Sequence, residues 1–407
     1  MPNQTRDYGD LWVTLTKDFT FGWDNRHFGS TRGCTFWHPN PQGNLYPMGS
    51  ICLSDRNNQG ETNFRAALLV GPNPNSPGGS SAVARPVDWT RIWGYGGGHG
   101  SVEAILWRPV APPGYVSMGD VMVYRLNKPS NDSLVWCLRA DLVGSGTYRG
   151  ERLWTGSGAD YGQGLSIWGI LPSSNGVEGS ENVPVFADTF RGILTPNYTP
   201  TKPNNGLSVV PQLRIPNAFR EFTQGVPKVT PSTIPNTGKR YDVVENASVI
   251  LPLTCFYPVD DSRCIDGVSN PFIEISKATS WFAEGVWEND GTGTFSREKK
   301  IKYGISRTQT EELTHSAGIE ISASHGFKLV EVNVTLNYQF TSASSSSLTD
   351  FSETEVTERF EVPSKHVTVL FTKHLFLKGK RMDGSTVISQ AEVIANDDLH
   401  FGGCPLP

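Results

Sequence analysis

Apolar and polar residues alternate most regularly between positions 313 and 340. If the chain turns back at His325 and Gly326, Ile321 lies opposite Val330 and the same pairing continues along both arms. Side chains of a strand point alternately to its two faces, so this register separates an apolar face from a polar face on both arms. The pattern predicts a β-hairpin with arms of about 10 residues, the length with which tilted strands cross a bilayer.

The two faces of this hairpin predict different surroundings. The membrane-facing side consists of Leu313, Ala317, Ile319, Ile321, Ala323, Val330, Val332, Val334, Leu336, Tyr338 and Phe340. The pore-lining side consists of Glu312, Thr314, Ser316, Glu320, Ser322, Glu331, Asn333, Thr335, Asn337 and Gln339. In this register Glu320 lies opposite Glu331, and such a pair in every subunit predicts a ring of carboxylates that attracts cations. The alternative is an ordinary hairpin with one solvated face that stays in its sheet.

The alternation weakens on either side of the hairpin and divides the chain into three parts. Residues 241–407 contain long alternating stretches, which predict an elongated β domain. Residues 196–240 are rich in proline and predict a linker or a wrapped connection. Residues 1–195 contain three related copies and predict a separate recognition domain.

The three copies are marked by pairs of tryptophans. In each pair the second tryptophan follows the first by fourteen positions, and the pairs are Trp23 with Trp37, Trp93 with Trp107, and Trp154 with Trp168. Gly49 and Gly119 follow at matching places in the first two copies, whereas the third copy has Val-Glu-Gly-Ser there. Three copies of short strands predict a pseudo-threefold, β-prism-like domain. The repeated tryptophans are expected to pack together near the pseudo-axis.

Composition supports an all-β protein and excludes several classes. The 407 residues include 42 glycines and 28 prolines, and helical periodicity is hard to find. The formal charge of −5 argues against a nucleic-acid partner. No apolar run reaches the 18 or more residues of a membrane-spanning helix, and the first residues carry no Sec-type signal. We expect a protein that is made soluble, is released or secreted, and acts at a target-cell membrane.

No catalytic or metal-binding motif is present. The eight histidines lack ligand spacing and no nucleophile motif occurs, so we predict no enzyme activity, no cofactor and no metal. The glycine-rich stretch with Tyr95, Gly97 and His99 reads as a tight turn, or alternatively as a receptor or glycan site with a stacking tyrosine. Cys255 and Cys264 flank a short polar loop that a disulfide would close, and the sequence leaves their state open.

Each half of the chain resembles a known family. The string WRPVAPPGYVSMGDVMV followed by CLRADLV resembles the Vps62 family. The order NPFIEIS, KYGISRTQTEE, GIEISASHGF, a serine-rich return and VPSKHVTVLF resembles aerolysin-type β-pore-forming, insecticidal-like toxins. The second resemblance implies a homo-oligomer that inserts a β-barrel into a membrane after the protein has bound a cell-surface receptor or glycan. The run Arg297–Lys300 departs from this pattern, because it has to stay outside the bilayer. The alternative function is a non-lytic, lectin-like binding or scaffold protein.

Overall fold

The all-β class is confirmed. The computed structural model describes residues 3–25, 33–54, 64–76, 81–95, 104–124, 128–130, 135–156, 164–173, 182–195, 201–215, 225–322, 326–329, 334–335, 353–394 and 399–406. The chain divides into two compact units. Unit 1 is Met1–Pro216, Pro252–Pro271 and Glu331–Val334, and unit 2 is Asn217–Leu251, Phe272–Val330 and Thr335–Pro407.

The strands that begin in unit 1 are short. They are β1 (Arg6–Tyr8), β2 (Leu11–Thr16), β3 (Phe19–Asp24), β4 (Thr35–Pro39), β5 (Ile51–Leu53), β6 (Ala67–Pro72), β7 (Val83–Ala84), β8 (Asp88–Tyr95), β9 (Ala104–Val110), β10 (Tyr115–Val116), β11 (Val121–Tyr124), β12 (Cys137–Arg139), β13 (Val143–Tyr148), β14 (Trp154–Gly156), β15 (Gly164–Pro172), β16 (Asn182–Pro184), β17 (Phe190–Thr195) and β18 (Val209–Arg214). Helix α1 (Ser262–Asp266) and the 3-10 turns Ala140–Leu142, Asn205–Leu207 and Leu253–Cys255 complete this unit.

Unit 2 contains much longer strands. Its elements are β19 (Val244–Pro252), β20 (Phe272–Asn289), β21 (Phe295–Tyr303), α2 (Arg307–Ala317), β22 (Ile319–Ser322), β23 (Gly326–Leu329), β24 (Val334–Thr335, at the boundary of the two units), β25 (Thr354–Val362), β26 (His366–Arg381), β27 (Thr386–Ile394) and β28 (His400–Pro405). The main sheet has the order β19-β20-β26-β27, and β28 pairs with the other end of β26. β21 and β25 form a separate two-stranded ribbon.

The three tryptophan copies fold as three similar groups of strands. β3, β4 and β5 pair in turn, as do β8, β9 and β11, and β15 pairs with both β14 and β17. The first tryptophan of each copy has an equivalent partner on the next strand: Trp23 opposite Phe36, Trp93 opposite Leu106, and Trp154 opposite Ile167. The repeat in the sequence is therefore a repeat of strand register, whereas the prism-like arrangement stays a prediction.

The first tryptophans of the three copies meet in one core. The ring centroids of Trp154 and Trp23 lie 6.0 Å apart, and those of Trp154 and Trp93 lie 6.1 Å apart. The second tryptophans, Trp37, Trp107 and Trp168, instead lie in three separate outer clusters. The expected common core is confirmed for the first member of each pair, and the second member stabilises its own sheet.

Small residues let the three copies approach one another closely. A Cβ atom on Gly49 would lie 2.8 Å from the Cα atom of Gly119 and 2.9 Å from the side chain of Thr189. The backbone amide of Ser50 donates to the backbone carbonyl of Asp120, and the amide of Asp120 donates to the carbonyl of Phe190. Thr189 is thus the third-copy counterpart of the two glycines. The Val-Glu-Gly-Ser stretch is the wrong counterpart, because the third copy places a longer connection before this position.

One buried ion cluster stabilises the contact between copies. Asp120 is fully buried, and its carboxylate accepts hydrogen bonds from Arg108 at 2.8 Å and from Arg191 at 2.7 Å. Burial by itself raises the pKa of Asp120, but the two arginines outweigh it, so this pKa lies below its ordinary value. Removal of the carboxylate would leave two guanidinium groups uncompensated.

The predicted linker over 196–240 is not a free connection. β18 pairs with β13 and β16, so residues up to Arg214 belong to the sheets of unit 1, and the boundary at 195 is too early. Further on, Val226 and Val229 pack against the apolar cluster of the main sheet in unit 2. The amide of Gly238 donates to Ala283 on β20. The wrapped connection, one of the two expected alternatives, describes residues 225–241.

All six cysteines are buried free thiols, so the loop between Cys255 and Cys264 is not closed by a disulfide. Burial raises the pKa of the Cys255 thiol well above its ordinary value, which makes the reactive thiolate scarce. The short helix α1 holds this loop instead, since the Asp261 side chain caps it by accepting from the Arg263 amide at 2.8 Å.

Candidate membrane-insertion segment

The ribbon of β21 and β25 brackets the segment that the sequence assigns to membrane insertion. The two strands pair without interruption from Phe295 opposite Val362 to Tyr303 opposite Thr354. Ile301 and Tyr303 lie on the inner face of the ribbon, where they pack with Leu370 of the main sheet. The alternating pattern expected for residues 354–362 is therefore confirmed as a strand.

The outer face of the ribbon is charged and exposed. Its cross-strand ion pairs join Lys300 to Glu355 at 3.0 Å, Lys302 to Glu353 at 3.0 Å, and Arg359 to Glu298 at 2.8 Å. Such solvated pairs stabilise a ribbon only slightly. The cationic run that begins at Arg297 lies on β21, and its Lys300 is paired with an acidic residue of β25.

The first part of the connecting segment is a helix, so the predicted strand at 312–317 is wrong. The Ser306 hydroxyl accepts from the Gln309 amide at 3.3 Å and begins α2. Gly318 ends it in the left-handed region at φ 60°, with its amide donating to Leu313 and Thr314. A Ser-x-x-Gln start and a Gly stop are helix signals that the sequence already carries.

The helix nevertheless separates the predicted apolar and polar residues. Leu313 and Ala317 are buried, whereas Glu312 and Thr314 are exposed and Ser316 is half-buried. Residues four positions apart lie on one face of a helix, and residues an even number apart lie on one face of a strand. The spacing of Leu313 and Ala317 satisfies both rules. This double fit explains why alternation alone predicted the wrong element.

The hairpin that follows α2 has another register than the predicted one. Ile319 lies opposite Leu329 instead of Val332, and Glu320 lies opposite Lys328. The direct pairing of Glu320 with Glu331 is thus wrong for this structure, because the backbone register pairs Glu320 with Lys328. Strand β22 carries Ile319, Glu320, Ile321 and Ser322, and β24 carries Val334 and Thr335.

Several predicted residues lie outside the described part of the chain. They are Ala323, Val330, Glu331, Val332, Asn333, Leu336, Asn337, Tyr338, Gln339 and Phe340 of the hairpin, and Gly97 and His99 of the glycine-rich stretch. Tyr95 is described and half-buried at the end of β8, where its ring stacks on Trp93 with centroids 6.4 Å apart. This places Tyr95 against the tryptophan core, and its receptor or glycan role stays a prediction.

A groove runs between α2 and the outermost strand of the main sheet. Gln309, Glu312, Leu313 and Ser316 line it on the helix side, and six consecutive residues of β27, 386–391, line it on the other side. Just before the helix, Gly304 forms an antiparallel bridge with Ile394 at the end of β27. Among its described residues, the part from Gly304 to Ala317 is therefore held on unit 2 by one bridge, one capped helix and few buried side chains.

Sequence reasoning missed a polar cluster on the main sheet beneath the ribbon. His374 on β26 has Nδ1 2.6 Å from the Glu392 carboxylate and Nε2 3.0 Å from the Thr372 hydroxyl. That hydroxyl donates to Glu284, which lies at a β-bulge in β20. Arg240 also donates to Glu392 at 3.0 Å. These residues are dispersed in the sequence, so only the pairing of strands could have brought them together.

The charge of Glu284 depends on this cluster. Burial by itself raises the pKa of Glu284. His374, whose Nε2 lies 3.9 Å from the carboxylate, and the hydrogen bond from Thr372 outweigh burial, so this pKa lies below its ordinary value. Lys299 of the ribbon contributes in the same direction. An ionised Glu284 therefore links the main sheet to the strand that leads into the insertion segment.

The described residues contain no cluster of His, Cys, Asp or Glu suited to hold a metal ion. Within the same residues, no helix has the length and apolar character needed to span a membrane.

Comparison of the sequence with family models gives a match to Vps62, described as vacuolar protein sorting-associated protein 62, over residues 3–207. This match spans half of the 407 residues. The chain belongs to the Vps62 family. The resemblance carried by the WRP…PPGY…GD string is thereby confirmed, and the Vps62 match covers the tryptophan copies and ends just before β18.

Two solved structures are similar to this Vps62-family chain. GNIP1Aa from Chromobacterium piscinae is 20% identical with a TM-score of 0.37, and the match covers 48% of this chain and 34% of that one. The chain thus spans about a third of the length of GNIP1Aa. Cry35Ab1 is 11% identical with a TM-score of 0.39, and the match covers 98% of this chain and 90% of that one. No curated protein matches the chain.

Proposed function

We propose that this Vps62-family chain is a β-pore-forming toxin. Unit 1 binds a receptor or glycan on the target cell, and unit 2 assembles with further copies and inserts a β-barrel into the membrane. The protein is released in soluble form and needs no cofactor or enzymatic step. The resemblance of the C-terminal sequence to aerolysin-type toxins supports this reading.

The observation that carries the proposal is the continuity of the ribbon with the insertion segment. Gly304 follows β21 directly, and Glu353 directly precedes β25. The two ends of the segment are thus held side by side, at Tyr303 opposite Thr354. If the segment leaves unit 2, both strands can lengthen as one hairpin without any change in chain topology.

Propagation of the ribbon register predicts the pairing in the barrel. Continued residue by residue from Tyr303 opposite Thr354, it sets Ile319 opposite Tyr338 and Glu320 opposite Asn337. The predicted membrane-facing residues then share the face of Ile301, and the predicted pore-lining residues share the exposed face of Lys300 and Lys302. Lipid faces apolar side chains, and the lumen faces charged and polar ones.

This register also assigns the acidic residues to the lumen. Glu320 and Glu331 stay on the pore-lining face, but at different heights, since Glu331 now lies opposite Gly326. In a ring of identical subunits each becomes a circle of carboxylates, which favours cations. Closure of the barrel follows from the cost of unpaired backbone groups in lipid, which is several kcal/mol for each group.

The proposal is tested by fixing the segment to unit 2. Ser316 and Ser389 line the same groove from α2 and β27, so cysteines at both positions lock the helix in place when oxidised. We expect the oxidised protein to release at least tenfold less dye than the reduced protein from target-cell membrane vesicles. Equal release in the two states would contradict the insertion of this segment.

The ribbon itself provides the matched control. Glu298 and Arg359 lie opposite each other, and the proposed barrel keeps them paired. A disulfide between Glu298→Cys and Arg359→Cys therefore joins two strands that do not separate. We expect this variant to release dye equally in its oxidised and reduced states, which isolates the effect of the helix lock from that of oxidation.

A further inference from the structure

Strand β27 lies at the edge of the main sheet, and the backbone N–H and C=O groups on its outer side have no neighbouring strand within the described part of the chain. β27 is the last strand in the order β19-β20-β26-β27. Ile394 directs its backbone groups away from β26, since it exchanges hydrogen bonds of 2.8 and 3.2 Å with Gly304. Alternation along the strand points the backbone groups of Glu392 to the same side, since β27 pairs regularly with β26 from Ala391 to Ile394. Gly304 is the one backbone partner that the described residues place on this edge.

Two parts of the insertion segment cover this edge. Gly304 pairs with its end, and α2 lies along residues 386–391. A helix uses its own backbone groups internally, so α2 shields the strand sterically without pairing with it. A register shift between β26 and β27 beyond Leu377 blunts the edge further. Covering devices of this kind are what keep sheet edges from joining in solution.

We propose that the outer edge of β27 is a contact for a second copy of this chain, opened when the insertion segment leaves. The inference rests on the proposed function, because that function removes Gly304 and α2 together. The exposed amides and carbonyls of a sheet edge pair along their whole length with another extended backbone, which replaces their bonds to water. Every copy that releases its segment exposes the same edge, so the partner present at the membrane is another copy.

The geometry of the sheet also assigns the other half of the contact. β19 (Val244–Pro252) is the outermost strand at the opposite end of the same sheet. Pairing of β27 in one copy with β19 in the next continues the sheet from subunit to subunit. Such head-to-tail contacts build a ring when the rotation from one subunit to the next adds up to a full turn. Release of the segment therefore frees the hairpin and exposes the assembly edge in one step.

The contact can be tested in solution, without a membrane. Leu313 is 2% exposed, so Leu313→Glu buries a carboxylate and expels α2 from β27. We expect this variant to form oligomers in a concentration-dependent manner, measured by light scattering coupled to gel filtration, while the wild type stays monomeric. Hydrogen exchange of residues 307–317 verifies that the helix has been released.

A substitution on the edge separates strand pairing from general aggregation. Glu392→Pro removes an outward N–H from β27, whereas Glu392→Ala keeps it and loses the same side-chain contacts with His374 and Arg240. In the Leu313→Glu background we expect the proline variant to need at least tenfold more protein for half-assembly than the alanine variant. Equal assembly of the two, or a monomeric Leu313→Glu protein with a released helix, would overturn the proposal.

A second measurement covers the case in which Leu313→Glu fails to fold. The single variants Glu392→Pro and Glu392→Ala are then bound to vesicles of phosphatidylcholine, sphingomyelin and cholesterol, and cross-linked. We expect oligomers from the alanine variant only; oligomers from both variants, or from neither, overturn the contact. Dye release that is equal in both also refutes the edge contact and leaves the pore intact. Oligomers that form with Glu392→Ala and not with Glu392→Pro, without dye release from any variant, refute the pore and leave the contact intact.

Discussion

The tryptophan core of unit 1 and the insertion segment of unit 2 are built on opposite principles. Trp23, Trp93 and Trp154 lie at equivalent register positions and bury large aromatic surfaces against one another. The segment from Gly304 to Ile319 relies on one bridge, a capped helix and a few aliphatic side chains, without a buried aromatic cluster of its own. Stability differs between parts of one protein, and moving elements come from its weakly held parts. The comparison teaches which part of this chain is able to leave.

The largest expected effect comes from a substitution in the tryptophan core of unit 1. Trp154 is 5% exposed and contacts both other core tryptophans. Trp154→Ala leaves a cavity, so we expect it to lower the free energy of unfolding of unit 1 by about 3–5 kcal/mol. Chemical denaturation with hydrogen exchange resolved by peptide measures this loss, and exchange of α2 should stay unchanged.

Leu313→Ala is the matched control from the weak side. It also truncates a buried apolar side chain, but one that docks a single helix. We expect faster exchange over residues 307–317 and no change in the unfolding of unit 1. A loss of unit 1 stability in this variant, or faster exchange of α2 in Trp154→Ala, would show that the two regions are not independent.

The two regions also differ in how far their sequences predict them. The repeated register of Trp23 and Trp93 comes from local strand pairs, so a fixed spacing in the sequence predicts it. The ion pairs of Asp120 follow no fixed spacing in the sequence. One partner, Arg108, lies 12 positions from Asp120, and the other, Arg191, lies 71 positions away. Pairing at that separation depends on the packing of the copies, which a single sequence does not display.

The insertion segment was mispredicted because its sequence fits two elements. Alternation over 313–323 describes the faces of a strand, while Ser306, Gln309 and Gly318 describe the ends of a helix. In unit 2 the helix is the one that forms, because its caps satisfy the end groups and Leu313 docks on β27. A segment with both patterns is suited to change its structure, which is what the proposed barrel requires.

Acid is expected to destabilise unit 2 through Glu284 on β20. Its pKa lies below the ordinary value, so the unfolded state, with a pKa of about 4.3, takes up the proton first as the pH falls. The stabilisation is complete above about pH 4.3 and is lost as the pH falls through the folded pKa. We expect the stability of unit 2 to decrease over that range in the wild type.

The variant Glu284→Gln has a side chain of the same shape, but this side chain no longer takes up a proton. The difference in unfolding free energy between wild type and variant should therefore shrink as the pH falls below about 4.3, because the wild type loses the charge that the variant lacks. Urea denaturation at several pH values measures it. A difference that is independent of pH would mean that the contacts of Glu284 with His374 and Thr372 do not depend on its charge.

The smallest expected effect concerns the start of the helix in the insertion segment. The Ser306 hydroxyl satisfies the Gln309 amide, and Ser306→Ala leaves that amide without its cap at a cost of about 1 kcal/mol. If α2 has to unfold before the barrel forms, this variant should exchange its helix amides faster and release dye up to about fivefold faster, since 1.4 kcal/mol corresponds to a factor of ten. Ser316→Ala makes the same chemical change inside the helix, where alanine is the better helix former, so it should slow both processes slightly. Faster dye release by Ser306→Ala together with slower release by Ser316→Ala would show that insertion depends on the stability of this helix. Equal dye release, despite different exchange rates, would mean that α2 opens before the slow step of pore formation.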